Sequence, residues 1–164
     1  MTGNGSMLEP DLRQGEVTTR LPSSFDASVY FIGRIRTPWR DRRDCPKWGD
    51  VEHGPPCFVE IDSAWHAAFD KIETRGRLEI LYWMHLARRD LVIQNPKSRG
   101  DLFGTFALRS PMRPNPISSS AVVLLDVEPG ILTVRGLDCV DGTPVIDVKP
   151  LRCPMWPSES AERG

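Results

Sequence analysis

The sequence predicts a mostly β protein, a largely antiparallel barrel or sandwich. Two observations predict this. Six or seven short apolar runs are separated by turn residues about every eight to twelve positions, with room for one or two short helices. None of the runs is followed by the G-x-G-x-x-G that opens a dinucleotide-binding βαβ unit.

Taken in order, Val29 to Ile35 reads as a strand ended by Thr37-Pro38, and Cys57 to Ile61 as a short alternating strand. Trp65, Ala68, Phe69 and Ile72 recur at spacings of three and four, which predicts a short amphipathic helix from Ala64 to Ile72, broken by Gly76. Leu78 to His85 is a dense β-type run, and Leu102 to Leu108 alternates weakly. Ser119 to Val127 is the strongest strand signal, and Pro129-Gly130 joins it to Ile131–Arg135 as a hairpin. Val145 to Lys149 follows the Asp141-Gly142 turn as the last strand. The ends are polar, so the expected organisation is a flexible arm over 1–27, a folded domain over 28–152 and a tail over 153–164.

Bulk properties narrow the partners. Charged residues make up 26% of the 164 positions and the net charge is −1, so nucleic acid would have to meet a local patch rather than a polycation. No apolar run approaches the length of a membrane span, and the first residues lack the apolar core of a secretory signal. Cys45, Cys57, Cys139 and Cys153 show no C-x-x-C spacing, and His53, His66 and His85 form no ligating pair. The expectation is a cytoplasmic protein with reduced thiols, no metal and no membrane partner.

Three segments carry candidate chemistry. Leu108-Arg-Ser-Pro-Met-Arg-Pro-Asn-Pro116 holds three prolines and two arginines. Proline fixes φ and removes donors, so this is a stiff loop presenting Arg109 and Arg113 to an anion or planar ligand, or else a connection with surface arginines. Gly136 to Pro150 carries Asp138, Asp141 and Asp147 around a Gly-Thr-Pro turn. Asp138 follows a strand and is placed to enter a pocket; Asp141 suits a turn; Asp147 has Lys149 as a plausible partner. Arg34 to Lys47 interleaves Arg36, Arg40, Arg42, Arg43 and Lys47 with Trp39, a composition suited either to phosphate contact with base stacking or to a solvated loop with Arg–Asp pairs. Arg88, Arg89, Lys97 and Arg99 form a second basic region with the same two readings. His85, Tyr82 and Trp83 lie in an apolar run and read first as packing residues.

Arg109-Ser-Pro-Met-Arg-Pro-Asn-Pro-Ile117, followed by Gly136-Leu-Asp-Cys-Val-Asp-Gly-Thr-Pro-Val-Ile-Asp-Val-Lys-Pro150, resembles the TrmO family, also called TsaA-like or YaeB-like. Ile32-Gly-Arg-Ile-Arg-Thr-Pro38 is similar to that family's opening strand and turn, and the resemblance runs from about Tyr30 to Leu151. It implies a small β-barrel that binds S-adenosylmethionine, a homodimer, and N6-methylation of threonylcarbamoyladenosine beside the anticodon of tRNA. The alternatives are methylation of a different small acceptor, and a non-catalytic module that binds S-adenosylmethionine or RNA. The resemblance implies an added C-terminal domain in bacterial enzymes of the family, and the expectation here is a short form without it; Ser118 stands where the family often has glycine, and Cys45-Pro-Lys-Trp48 replaces a Pro-Arg-Gln.

On that resemblance, Leu108, Arg109, Ser110, Arg113, Asn115, Leu137, Asp141, Thr143 and Ile146 are expected to line the cofactor site. Asp138 is the expected general base, with His85 as its rival, and Arg36, Trp39, Arg40, Arg42, Arg43 and Lys47 are expected to meet RNA.

Overall fold

The structure is a computed structural model that describes residues 12–96 and 100–151. Cys153, Lys97 and Arg99 lie outside the described residues. The described residues divide into two compact units: a barrel unit of 28–84 and 117–151, and a smaller unit of 12–27, 85–96 and 100–116.

The barrel unit contains β2 (Gly33–Arg36), β3 (Pro56–Ile61), β4 (Arg77–Trp83), β7 (Ile117–Glu128), β8 (Ile131–Arg135) and β9 (Pro144–Pro150). They close in the order β2-β3-β8-β7-β4-β9, with every pairing antiparallel. The smaller unit contains β1 (Val17–Thr18), β5 (Leu91–Gln94) and β6 (Phe103–Gly104), paired in the order β1-β5-β6. The fold is thus the mostly β barrel that the sequence predicts.

Period-two alternation decides which side chains fill the barrel. Leu78, Ile80 and Tyr82 on β4 point inward and are almost wholly buried, joined by Ile35, Val59, Val122, Leu132, Val134 and Val145. Closure leaves the barrel no open edge, and this apolar filling supplies the main driving force for it.

Two register irregularities shape the barrel. On β7, Leu124 faces Val134 while Asp126 faces Thr133, so Leu125 is an extra residue and the long strand bends from β4 towards β8. On β9, Leu81 faces Asp147 while Tyr82 faces Val145, which makes Ile146 the bulged residue. The bulge keeps Val145 and Val148 on the core side while Asp147 faces out, where it pairs with Lys149.

Several element boundaries differ from the sequence reading. The first strand begins at Gly33 rather than Val29: Val29, Tyr30 and Phe31 are exposed, with Tyr30 edge-on to Trp65 at 6.0 Å and Phe31 against Trp83 at 6.3 Å. The expected helix over Ala64–Ile72 is a 3-10 segment, Ser63–Phe69, followed by a second, Ile72–Thr74, with Lys71 in the left-handed region between them. So short a stretch has too few hydrogen bonds to offset α-helix nucleation, so packing of Phe69 and Ile72 on the core sets its form. His85 is exposed and lies past the end of β4, not inside an apolar strand. The run Leu102–Leu108 holds the two-residue strand β6, Phe103–Gly104, followed by a 3-10 turn, Thr105–Ala107. The strands β1 and β5 have no counterpart among the runs that the sequence marks as strands.

Candidate functional site

In the barrel unit the chain leaving β8 at Arg135 forms a loop, 136–143, before entering β9. Backbone bonds stitch it to the end of β2: Ile35 N–H donates to Thr143 O at 2.8 Å, Gly142 N–H to Ile35 O at 2.8 Å, and Asp141 N–H to Trp39 O at 2.7 Å. Side chains lock the same seam. Thr37 Oγ1 donates to Cys139 O at 2.9 Å, Thr143 Oγ1 donates to Val140 O at 2.6 Å, and Asp141 Oδ1 accepts from Thr37 N–H at 3.1 Å. Asp141 therefore has its carboxylate engaged in holding the loop, with Arg36 at 3.9 Å from its other oxygen. Leu137, Cys139 and Val140 are buried and anchor the loop from beneath.

Asp138 emerges between these anchors. Its Oδ1 accepts a hydrogen bond from Tyr82 Oη at 2.8 Å and from Ser120 Oγ at 3.3 Å, and the two hydroxyls are 2.8 Å apart. Its Oδ2 has no hydrogen-bond partner among the described residues. Tyr82 is 2% exposed, and burial, reinforced by the Asp138 charge, pushes its phenol far above the ordinary range. It stays a donor, so one carboxylate oxygen is held by the two hydroxyls. Ser118 lies directly opposite Tyr82 in the ladder and, by alternation, on the same face as Ser120 and Val122. Ile146, at the bulge, follows Val145, the ladder partner of Tyr82.

The cysteines near this loop are not activated. Burial raises the thiols of Cys139, Cys57 and Cys45, Cys57 to about 11.

The basic segment separates into two kinds of residue. Arg36 pairs with Glu60 at 2.8 Å, and Arg43 grips Asp41 through two bonds of 2.9 and 3.0 Å, holding that carboxyl at about 2. Arg40, Arg42 and Lys47 are exposed and make no hydrogen bond or ion pair with the described residues. Trp39 packs against the barrel core, and its carbonyl serves the 136–143 loop.

In the smaller unit the Pro-rich loop, 108–116, is held by side-chain donors. Arg113 Nη1 donates to the carbonyls of Leu108 and Ser110, both at 2.9 Å; Arg89 Nε donates to Pro114 O at 2.6 Å; Gln94 Nε2 donates to Met112 O at 2.7 Å. Ser110 Oγ accepts from Met112 N–H at 3.3 Å, and Asn115 Oδ1 from Arg89 at 3.4 Å. Leu108 is half-buried. Arg109 is exposed and has no ion-pair partner among the described residues. The Arg89 guanidinium also lies 4.5 Å from the Phe25 ring centroid, and Arg88 pairs with Asp90 through two bonds of 2.8 Å. The expected cofactor residues thus fall as Leu108, Arg109, Ser110, Arg113 and Asn115 in one unit and Leu137, Asp141, Thr143 and Ile146 in the other.

Sequence reasoning missed Tyr82 and Ser120. The available signal was a pair of hydroxyls on inward positions of strands otherwise filled by Leu, Ile and Val. It also missed Trp48, which is 74% exposed.

Among the described residues no helix is long and apolar enough to cross a membrane, and no cluster of three or more His, Cys, Asp or Glu is placed to hold a metal ion.

A closed antiparallel barrel whose 136–143 loop presents a hydroxyl-held carboxylate defines a class of compact β-barrel proteins outside the βαβ nucleotide binders. Residues 34–153 match the model of the tRNA-methyltransferase O N-terminal domain, and the chain belongs to the TrmO family. It is similar to a probable S-adenosyl-L-methionine-binding protein, VirR, of Rhizobium radiobacter, with 49% identity over 86% of this chain and 80% of that one. A probable S-adenosyl-L-methionine-binding protein of Methanothermobacter thermautotrophicus is 36% identical over 78% of this chain and 92% of that one. The crystal structure of TrmO from Pseudomonas aeruginosa superposes with a TM-score of 0.64 at 30% identity, over 78% of this chain. This chain spans 57% of the length of that structure.

Proposed function

We propose that this protein is an S-adenosylmethionine-dependent methyltransferase that methylates N6 of threonylcarbamoyladenosine in tRNA. The observation that carries the reading is the Asp138 carboxylate, with Oδ1 fixed by Tyr82 and Ser120 and Oδ2 without a partner among the described residues. Membership of the TrmO family and the names of its relatives support the cofactor and the substrate class. The residues suit the cofactor. Arg109 offers a guanidinium without an ion-pair partner among the described residues for a carboxylate, and the 136–143 loop is held rigid with buried apolar anchors for an adenine. In the barrel unit Leu137, Thr143 and Ile146 are proposed cofactor contacts, and in the smaller unit, taken by itself, Leu108, Ser110, Arg113 and Asn115 are proposed with Arg109. Asp141 would act through the loop that it ties.

When bound, S-adenosylmethionine supplies an already activated methyl group on a sulfonium sulfur, so the protein's task is orientation and proton removal. The acceptor is a urea-like N–H, a poor nucleophile until its proton leaves. Asp138 Oδ2 would accept that proton as the nitrogen takes the methyl group and the S–CH3 bond breaks, its electron pair staying on sulfur in the departing neutral thioether. Tyr82 and Ser120 keep the carboxylate aimed, and Tyr82 stays protonated because its burial disfavours the phenolate. Asp138 is preferred to His85 because two named donors orient it, whereas His85 sits exposed beyond β4. The exposed cations Arg40, Arg42 and Lys47 would meet tRNA phosphates. The same reading takes the protein to be a cytoplasmic homodimer.

The test is mass spectrometry of tRNA nucleosides from cells with and without the gene, paired with methyl transfer by purified protein. Loss of the methylated nucleoside on deletion, restored by the protein in vitro, is the expected result. Tight cofactor binding without transfer to tRNA would overturn the enzymatic reading and leave a binding module.

A further inference from the structure

We propose that Trp48 is a stacking platform for an unpaired nucleobase of RNA beside Asp138, with Lys47, Arg40 and Arg42 on the flanking phosphates. The inference rests on the reading of RNA as the substrate given above, and it names the residue that meets a base.

The first observation is exposure. Trp48 shows 74% of its surface, against 42% for Trp65, while Trp39 packs on the core. A single exposed apolar residue is ordinary on a protein surface; its position is what distinguishes this one. The next residue, Gly49, lies so close to the 136–143 loop that a Cβ on it would come 1.6 Å from Gly136 O. Val51 closes on the same glycine, 2.6 Å from where a Gly136 Cβ would stand. Asp138 is two residues further along, at most about 7 Å of extended chain. The backbone that carries Trp48 is thus clamped to the backbone that carries the carboxylate.

The second observation is rigidity. Asp50 Oδ1 accepts from the N–H groups of Glu52 and His53, each at 2.9 Å, Gly54 N–H donates to Asp50 O at 3.2 Å, and Arg135 Nη1 donates to Glu52 O at 3.1 Å. The turn that begins two residues after Trp48 is therefore fixed, and Pro46–Glu52 line a shallow depression. The cost of ordering the loop on binding is already met in the fold.

The third observation is charge. Lys47, Arg40 and Arg42 are exposed and unpaired among the described residues, whereas Arg43 and Arg36 are spent on Asp41 and Glu60. An accessible aromatic face among available cations is the composition by which proteins hold unstacked bases of single strands and loops.

The experiment titrates the intact protein and its Trp48→Ala and Trp48→Phe variants with an RNA stem-loop carrying an anticodon-like loop, and with a blunt RNA duplex of equal length. Melting curves check that each variant is folded. Trp48→Ala is expected to lose at least about fivefold in stem-loop affinity, with Trp48→Phe close to wild type and duplex binding unchanged. Quenching of tryptophan emission by the stem-loop is expected in the wild type and absent in Trp48→Phe. Equal stem-loop affinity in wild type and Trp48→Ala, an equal loss on duplex, or no binding by the wild type overturns the inference. Methyl transfer is followed separately. Transfer that is indifferent to Trp48 leaves the enzymatic reading standing and this one fallen, and Trp48-dependent binding without transfer does the reverse.

Discussion

The two motif loops, 108–116 and 136–143, hold their shapes by opposite means. The first has spent three residues on proline and so lacks backbone donors. Its carbonyls are met by guanidinium and amide groups of Arg113, Arg89 and Gln94. The second is fastened mainly by its own backbone to the end of β2, with short side chains sealing the joint. The difference teaches what each loop has left for a ligand. Where arginine must act as scaffold, only some of the arginines are available. Where the main chain is the scaffold, the proposed base, Asp138, is held separately by two hydroxyls.

The largest effect is expected at that carboxylate. Asp138→Asn keeps the size and the ability to accept from Tyr82 but removes the base, so methyl transfer should fall about 10²- to 10⁴-fold with little change in melting temperature. Single-turnover kinetics at saturating cofactor separates this from a binding defect. A variant that retains full turnover would remove Asp138 from the mechanism and leave the 136–143 loop a purely structural element.

This contrast also explains how much was legible in the sequence. The barrel was legible because Leu78, Ile80, Val122, Leu132, Val134 and Val145 alternate in phase along the strands that close it. The place of Asp138, just after a strand and beside the Gly-Thr-Pro turn, was legible because the apolar run ending at Arg135 and the turn residues after it mark the strand's end. Tyr82 and Ser120 were not, since their meeting depends on the β4–β7 register, which no local pattern encodes. The roles of Arg109 and Arg113 could not be separated for the same reason: only the path of the loop determines which guanidinium reaches a carbonyl. Trp39 and Trp48 look equivalent in a basic segment until the barrel core claims the first. The strands β1 and β5 escaped notice because Val17–Thr18 and Leu91–Gln94 are short and belong to a three-stranded sheet with little alternation to display.

Within the Pro-rich loop, the comparison can be sharpened one arginine at a time. Arg109→Ala removes an exposed guanidinium and should weaken cofactor binding at least about tenfold while leaving the melting temperature unchanged. Arg113→Ala deletes two charged hydrogen bonds to Leu108 and Ser110 carbonyls, so it should cost about 1–3 kcal/mol of stability as well as weaken binding. Calorimetric titration beside thermal melting reads both quantities. Identical behaviour of the two variants would show that neither arginine is specialised and that the loop acts as one positive patch.

The smallest effects belong to the basic segment, where the same division between scaffold and ligand contact recurs. Neutralising Arg40, Arg42 and Lys47 together should weaken RNA binding and flatten the dependence of log K on log salt, by up to about 0.7–0.9 for each phosphate that is no longer neutralised. Neutralising Arg43 should leave the slope almost as it was, because its guanidinium is bonded twice to Asp41. Its removal frees Asp41 instead, whose carboxyl is held at about 2 by that partner and would return towards the ordinary range. A solvent-exposed pair of this kind contributes little to stability, so the melting temperature is a poor readout and the salt slope a good one. If Arg43→Ala flattened the slope as much as Arg40→Ala or Arg42→Ala did, the Asp41 pairing would have to open on binding RNA. The segment would then be a mobile counter-charge for phosphate rather than a fixed frame with three outward cations.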